Sequence, residues 1–127
     1  VEYVRRRMRD THDLWHAVLG YRGDLLGEAA LLAFAFAQTG NAAMGALTGL
    51  GLAMFPEREA RRLIVGGFGR GRSAAWFPAQ PWELLLALPV DDVRRRLGVA
   101  APPRYTPIRS STLRDAGRLP AVRVSCA

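Results

Sequence analysis

Two apolar runs, Leu25 to Ala37 and Ala42 to Phe55, stand almost end to end, parted only by Gln38-Thr39-Gly40-Asn41. A helix that spans a bilayer needs about 20 consecutive apolar residues. The second run has 14 residues, and the polar break separates it from the first. Each run therefore reads as a helix that is buried in a core or laid against a membrane surface. Asp24 is placed to N-cap the first, and Pro56 ends the second. Gly45 and Gly49 have the four-residue spacing that lets helices approach closely.

Upstream, Val4, Met8, Thr11, Trp15, Val18 and Leu19 fall on one helical stripe, followed by Gly20 as a left-handed C-cap. The pattern predicts an amphipathic helix over residues 2 to 19, joined to the Leu25 run by a short turn, that is, a helix hairpin. Downstream, Glu57 to Leu63 continues as a charged helix, whereas Gly66-Gly67-Phe68-Gly69-Arg70-Gly71 leaves helix, kink and loop all open. Pro81 suits the first turn of a short helix from Trp82 to Leu88, and Asp91-Asp92 begins another that stops at Gly98. Beyond Ala100 the chain is rich in proline and loses helical periodicity, so an extended, partly disordered tail is expected. No strand-like alternation appears. The expected fold is all-α: a compact helical domain over residues 1–105, built on a metal-binding helix hairpin, and a tail over 106–127. Trp15, Trp76 and Trp82 are expected in the core or between helices.

A chain of 127 residues, half of them hydrophobic, can bury one modest core. Its 18 basic residues, all arginine, outnumber 11 acidic ones and give a net charge of +7. Such a surface attracts phosphate or carboxylate without choosing among nucleic acid, anionic lipid and small acids. With no recognised reading helix or stacking platform, nucleic acid is not expected as a partner. The absence of lysine beside abundant alanine, glycine and arginine suggests GC-rich coding and a bacterial source. Cys126, the sole cysteine, excludes an intramolecular disulfide and a cysteine-based zinc cluster, and fits a reducing compartment. Val1 begins within a periodic pattern that has no apolar signal core, which suggests missing upstream residues.

The chemistry-bearing residues cluster. On a helix His12 and His16 lie one turn apart on one face, with Asp13 flanking them at the edge of the apolar stripe. If the turn centres near Arg22, an antiparallel second helix brings Glu28 level with His16. Two imidazoles and two carboxylates form a mixed nitrogen and oxygen set that suits one divalent ion: zinc, iron, manganese or cobalt. The plainer alternative is two histidines bonded to neighbours, with Asp13 paired to Arg9. Both histidines of the chain fall within five positions and are followed by a glutamate in hairpin register, which favours the metal. Arg5 and Arg9 lie on the ligand side, where a guanidinium could hold a carboxylate or phosphate, although a solvated face is the better explanation of each.

Thr11-His12-Asp13-Leu14-Trp15-His16, followed after eleven residues by Glu28, resembles the HDxxH motif and distal glutamate of the coenzyme Q (ubiquinone) biosynthesis protein 4 family. Tyr3-Val4 with Arg7, Ala37-Gln38-Thr39-Gly40, Trp82-Glu83, Pro89, Val93-Arg94, Leu97-Gly98 and Pro102-Pro103 extend the similarity to about residue 105. The resemblance implies that His12, Asp13, His16 and Glu28 are metal ligands and catalytic residues. It also implies a hydrophobic channel for a polyprenyl tail. The activity it implies is decarboxylation coupled to hydroxylation at C1 of a prenylated hydroxybenzoate ring. The partners would be that quinone precursor, other quinone biosynthesis proteins and the membrane surface, and a homodimer is compatible with it. The location would be cytoplasmic, peripheral to the bacterial inner membrane, or the matrix side of the mitochondrial inner membrane in a eukaryote. Met8 departs from the family's usual aromatic, and the family's N-terminal half has no counterpart here. The alternative is a non-catalytic, lipid-binding scaffold for the other biosynthetic proteins, with a structural metal.

Overall fold

The computed structural model describes residues 2–119, so Val1 and Cys126 lie outside the described residues. Within them the chain forms α1 (Glu2–Asp10), α2 (His12–Leu19), α3 (Leu25–Thr39), α4 (Ala42–Met54), α5 (Arg58–Ser73), α6 (Trp82–Leu85), α7 (Val90–Leu97) and α8 (Ser110–Asp115), with a 3-10 turn at Phe77–Ala79 between α5 and α6. There is no strand among the described residues, and the all-α expectation holds.

Helix α3 is the central element, burying Leu26, Gly27, Ala29, Ala30, Leu31, Ala33, Phe34 and Ala35. Alanine and glycine make it slender, and α5 exploits this. A Cβ on Gly67 would sit 2.4 Å from the Ala30 carbonyl oxygen, and one on Gly71 2.6 Å from that of Phe34. These two glycines, one turn apart, let the α5 backbone rest on α3. The glycine-rich stretch that the sequence left open is therefore continuous helix, its propensity penalty offset by close packing. Gly66 and Gly69 meet nothing and face away.

At α4 the expected glycine pair is only half present. Gly45 packs under the Phe36 ring, but Gly49 faces open space and it is Gly51 that meets Ala29. Asn41 caps this helix by accepting from the amides of Ala43 and Met44.

The single helix expected over residues 2 to 19 is divided at Thr11. Its buried hydroxyl donates to the Arg7 carbonyl at 2.7 Å and its backbone sits at φ −107°, ψ 7°, outside the helical basin. Back-bonding of this kind bends helices. Arg7 then fastens α1 to the start of α6 with a two-pronged pair to Glu83 at 2.6 and 2.9 Å and a bond to the Gln80 carbonyl.

Trp15 and Trp82 are core residues that meet Phe77 edge to face at 5.2 and 5.3 Å, and Phe34 completes the cluster. Trp76 departs from expectation: it is 47% exposed, its indole N–H donating to the Gln38 carbonyl. Helix α6 stops at Leu85, short of the expected Leu88, because the chain turns toward Pro89.

Residues 99–109 have no regular secondary structure, and the stretch after them forms α8, within the tail expected to be extended or disordered, which the lack of periodicity did not reveal. Buried Leu113 anchors α8, while the Asp24 carboxylate accepts from Ile108 N–H at 2.8 Å and from the Tyr105 hydroxyl at 2.7 Å.

Candidate metal centre

Three features aim α2 and α3 at each other. Gly20, at φ 76°, closes α2 by returning its N–H to the His16 carbonyl. Arginines then satisfy the helix's remaining terminal carbonyls: Arg94 donates to those of Ala17 and Val18, and Arg70 to that of Leu19. Across the turn, buried Asp24 caps α3 by accepting from Leu26 and Gly27 N–H. Its phenol partner Tyr105 is held above the usual phenol range, first by burial and then by the hydrogen bond to Asp24.

This geometry sets Glu28, in the first turn of α3, opposite the α2 histidines. One nitrogen from each of His12 and His16 and one Glu28 oxygen lie within 4.8 Å of one another. Glu28 Oε1 is 2.9 Å from His16 Nε2, and Oε2 is 3.4 Å from His12 Nε2. The hairpin register inferred from sequence is the one observed. Asp13 is not brought into this group: its side chain is fully exposed, with Oδ1 3.5 Å from His12 Nδ1.

His16 carries the clearest chemical signal. Its Nδ1 lies 3.0 Å from the Tyr21 carbonyl oxygen, which can only accept, so Nδ1 carries a proton. The other ring nitrogen, Nε2, faces a carboxylate oxygen of Glu28. That Nε2 is buried and makes no properly oriented hydrogen bond. At 2.9 Å from a carboxylate oxygen, this nitrogen is placed either to donate a proton to Glu28 or to share a metal ion with it. The donor set of two imidazole nitrogens and a carboxylate, one imidazole oriented by a backbone carbonyl, suits a divalent ion with open coordination positions.

His12 and Glu28 also form part of the wall of a cavity of about 580 Å³ between α1, α3 and the start of α4. Val4, Met8, Trp15, Leu31, Leu32, Ala35 and Met44 make it mainly apolar, with Arg5 and Arg9 beside His12. Two contributors escaped sequence reading. One is the Tyr21 carbonyl, a backbone atom that has no sequence signature. The other is Gln38, whose amide donates to the Gly71 and Ala75 carbonyls and accepts from Phe77 N–H, tying the end of α3 to the chain beyond α5. Its clues were its place at the end of an apolar run and its presence in the Ala37-Gln38-Thr39-Gly40 segment, neither of which gave its bonding role.

Residues 1–103 match the family model described as coenzyme Q (ubiquinone) biosynthesis protein Coq4. The chain is 35% identical over 114 residues to the mitochondrial ubiquinone biosynthesis protein coq4 of Talaromyces marneffei, covering 84% of this chain and 38% of the relative. To the mitochondrial COQ4 of Yarrowia lipolytica it is 31% identical over 109 residues, covering 80% and 40%. A crystal structure of a putative ubiquinone biosynthesis protein from Nostoc punctiforme superposes with a TM-score of 0.66 at 31% identity, covering 75% of this chain and 49% of that one. The chain thus spans about two fifths of the length of these curated relatives and corresponds to their C-terminal part. With the family model matched over residues 1–103 and a solved structure of that kind superposing on three quarters of it, the chain belongs to the Coq4 family of coenzyme Q (ubiquinone) biosynthesis proteins.

Proposed function

We propose that this chain carries the metal site and part of the lipid-binding cavity of a ubiquinone biosynthesis enzyme. Its substrate class is a polyprenylated hydroxybenzoate, whose C1 carboxylate leaves as carbon dioxide while a hydroxyl takes its place, with dioxygen as the oxidant. The observation that carries this reading is the convergence of His12, His16 and Glu28, with a buried His16 Nε2 that makes no oriented hydrogen bond, on the border of an apolar cavity. A divalent ion held by His12, His16 and Glu28 supplies a Lewis acid there.

The protein's own groups do the rest. The Tyr21 carbonyl fixes the His16 ring, and Asp13 steadies the exposed His12 from its outer nitrogen. Leu31, Leu32, Ala35 and Met44 exclude water and receive the prenyl tail. Arg5 and Arg9 stand where a ring carboxylate would be held by charge. The relatives' printed names support the pathway, and the cavity supports a greasy substrate reached from a membrane surface. No helix among the described residues is long and apolar enough to cross a membrane, so contact with that surface would be peripheral.

A second reading, a scaffold with a structural metal, draws on one observation. Among the residues lining the cavity, the acid–base groups are His12 and Glu28, both of them ligands here, and no separate general base stands beside them. The test is elemental mass spectrometry on parent, His16→Ala and Glu28→Gln, followed by turnover of the prenylated acid with product mass determined. About one ion in the parent, lost in both variants, with C1-hydroxylated product, supports the enzyme. An ion without product supports the scaffold. No ion in folded parent overturns both.

A further inference from the structure

Helix α4 presents solvent with a face that a soluble protein does not normally tolerate. Ala42, Ala43, Ala46, Leu47, Gly49, Leu50 and Ala53 are exposed, and none is polar. Leu47 and Leu50 are 48% and 55% exposed. The helix holds one polar side chain, Thr48, and its hydroxyl is turned back onto the Met44 carbonyl. An apolar face of this size marks a contact surface.

Beside it, α5 carries Arg58, Arg61, Arg62 and Arg72 with Val65 on one exposed face, at three- and four-residue spacings. Arg61 reaches across to the Leu52 carbonyl at 3.0 Å, which joins this stripe to the edge of α4. None of the four arginines has an acidic partner within salt-bridge distance among the described residues. An apolar helix face flanked by unneutralised arginine is complementary to an anionic bilayer: the side chains enter the acyl boundary and the guanidinium groups meet the phosphates. At 13 residues, α4 is about 20 Å long, enough to lie in the interface but not to cross it. Met44, near the N-terminal end of α4, lines the cavity described above, and Leu47, one turn on, is exposed.

We infer that the α4 face and the α5 arginine stripe form the surface by which this protein docks on anionic phospholipid bilayers, which brings the mouth of the cavity to the lipid. The assignment rests on the proposed lipid-borne substrate for its purpose, but not on the metal. The test is flotation with vesicles of phosphatidylcholine alone or mixed with phosphatidylglycerol, at low and high salt. The expected result is association with the mixed vesicles that salt weakens and that falls about tenfold in Leu47→Glu/Leu50→Glu and in Arg58→Glu/Arg62→Glu. Arg96→Glu on α7 makes the same charge change away from this face and should float like the parent.

Circular dichroism and metal content verify that the variants are folded. Parent that stays behind at low salt, or a leucine variant that floats like the parent, overturns the assignment. So does a parent dimer in sedimentation velocity that Leu50→Glu dissociates, since the face would then belong to a second copy. His16→Ala should lose the ion and still float, so failure of the metal reading and failure of this one are separable.

Discussion

His16 Nε2 and Glu28 Oε1 lie 2.9 Å apart, while the opposite nitrogen of the same ring is committed to the Tyr21 carbonyl. A cation at this junction would bind the folded chain and not the unfolded one. At a free-ion concentration about a hundredfold above Kd, it should add about 2.7 kcal/mol of stability. Chelation is therefore expected to lower Tm by on the order of 10 °C in the parent. His16→Ala and Glu28→Gln should already melt low and respond little to chelator, as differential scanning calorimetry would record.

Asp13 provides a sharper test of how the four polar residues divide their roles. Its exposed carboxylate stands 3.5 Å from the outer nitrogen of His12. Asp13→Asn should retain the ion but weaken its binding about tenfold, the low end of what losing an orienting partner costs. Competition with a colorimetric chelator measures this. Complete loss of the ion would make Asp13 a ligand in its own right.

The α3–α5 contact predicts opposite signs for chemically identical changes. Gly66→Ala and Gly69→Ala place a methyl in open space and should stabilise by about 0.5 to 1 kcal/mol through helix propensity. Gly67→Ala and Gly71→Ala force the helices apart and should cost about 2 kcal/mol or more. Urea midpoints at unchanged m-value distinguish the two classes.

Hydrogen bonds from the Arg7 guanidinium first, then a backbone hydrogen bond at Glu83 itself and the Arg7 charge, hold the exposed Glu83 carboxyl down to about 2, from 4.5. A carboxyl whose folded-state value is depressed contributes its stability above the unfolded value and loses it as pH falls through the folded one. The anchor on α1 should thus be intact at neutral pH, weaken below about pH 4.5 and be gone near pH 2. Protection of the α1 amides from exchange, measured relative to the intrinsic rate at each pH, should fall over that window in the parent. In Glu83→Gln that protection should be low already at neutral pH and change little with acid.

Asp24 predicts a large effect from a residue that supplies no candidate ligand atom. It accepts from the backbone of Leu26, Gly27 and Ile108 and from the Tyr105 hydroxyl. Asp24→Ala removes a helix cap and strands buried donors, at about 3 kcal/mol. Tyr105→Phe removes one bond and should cost about 1 kcal/mol. Thermal melts of the two variants give the comparison.

The part of the site legible in sequence was the part encoded by helical spacing and a short turn. The four-residue interval placed His12 and His16 on one face, and Asp24 with Gly20 fixed the hairpin register that brought Glu28 opposite them. What stayed hidden depended on contacts distant in the chain. The division at Thr11 arises from a hydroxyl choosing the Arg7 carbonyl. The course of Gly66 to Gly71 is decided by α3, because only the helix packed against them says which glycines are needed. Trp76 looked like core by residue type, yet its indole N–H is spent on the end of α3. Helix α8 has one buried apolar residue, too few to announce a period.

The Asp24 cap carries a further implication. The Glu28 amide donates to the Asp24 carbonyl, and the carboxylate of that same residue holds the segment from Tyr105 to Ile108. Docking of that segment and occupancy of the ion site therefore share one helix terminus, and thermodynamic linkage makes their influence mutual. Whatever pulls Tyr105 away should loosen the grip on the ion, and an ion in place should hold Tyr105 down. A change confined to Tyr105 should thus alter the ion's affinity without touching a ligand.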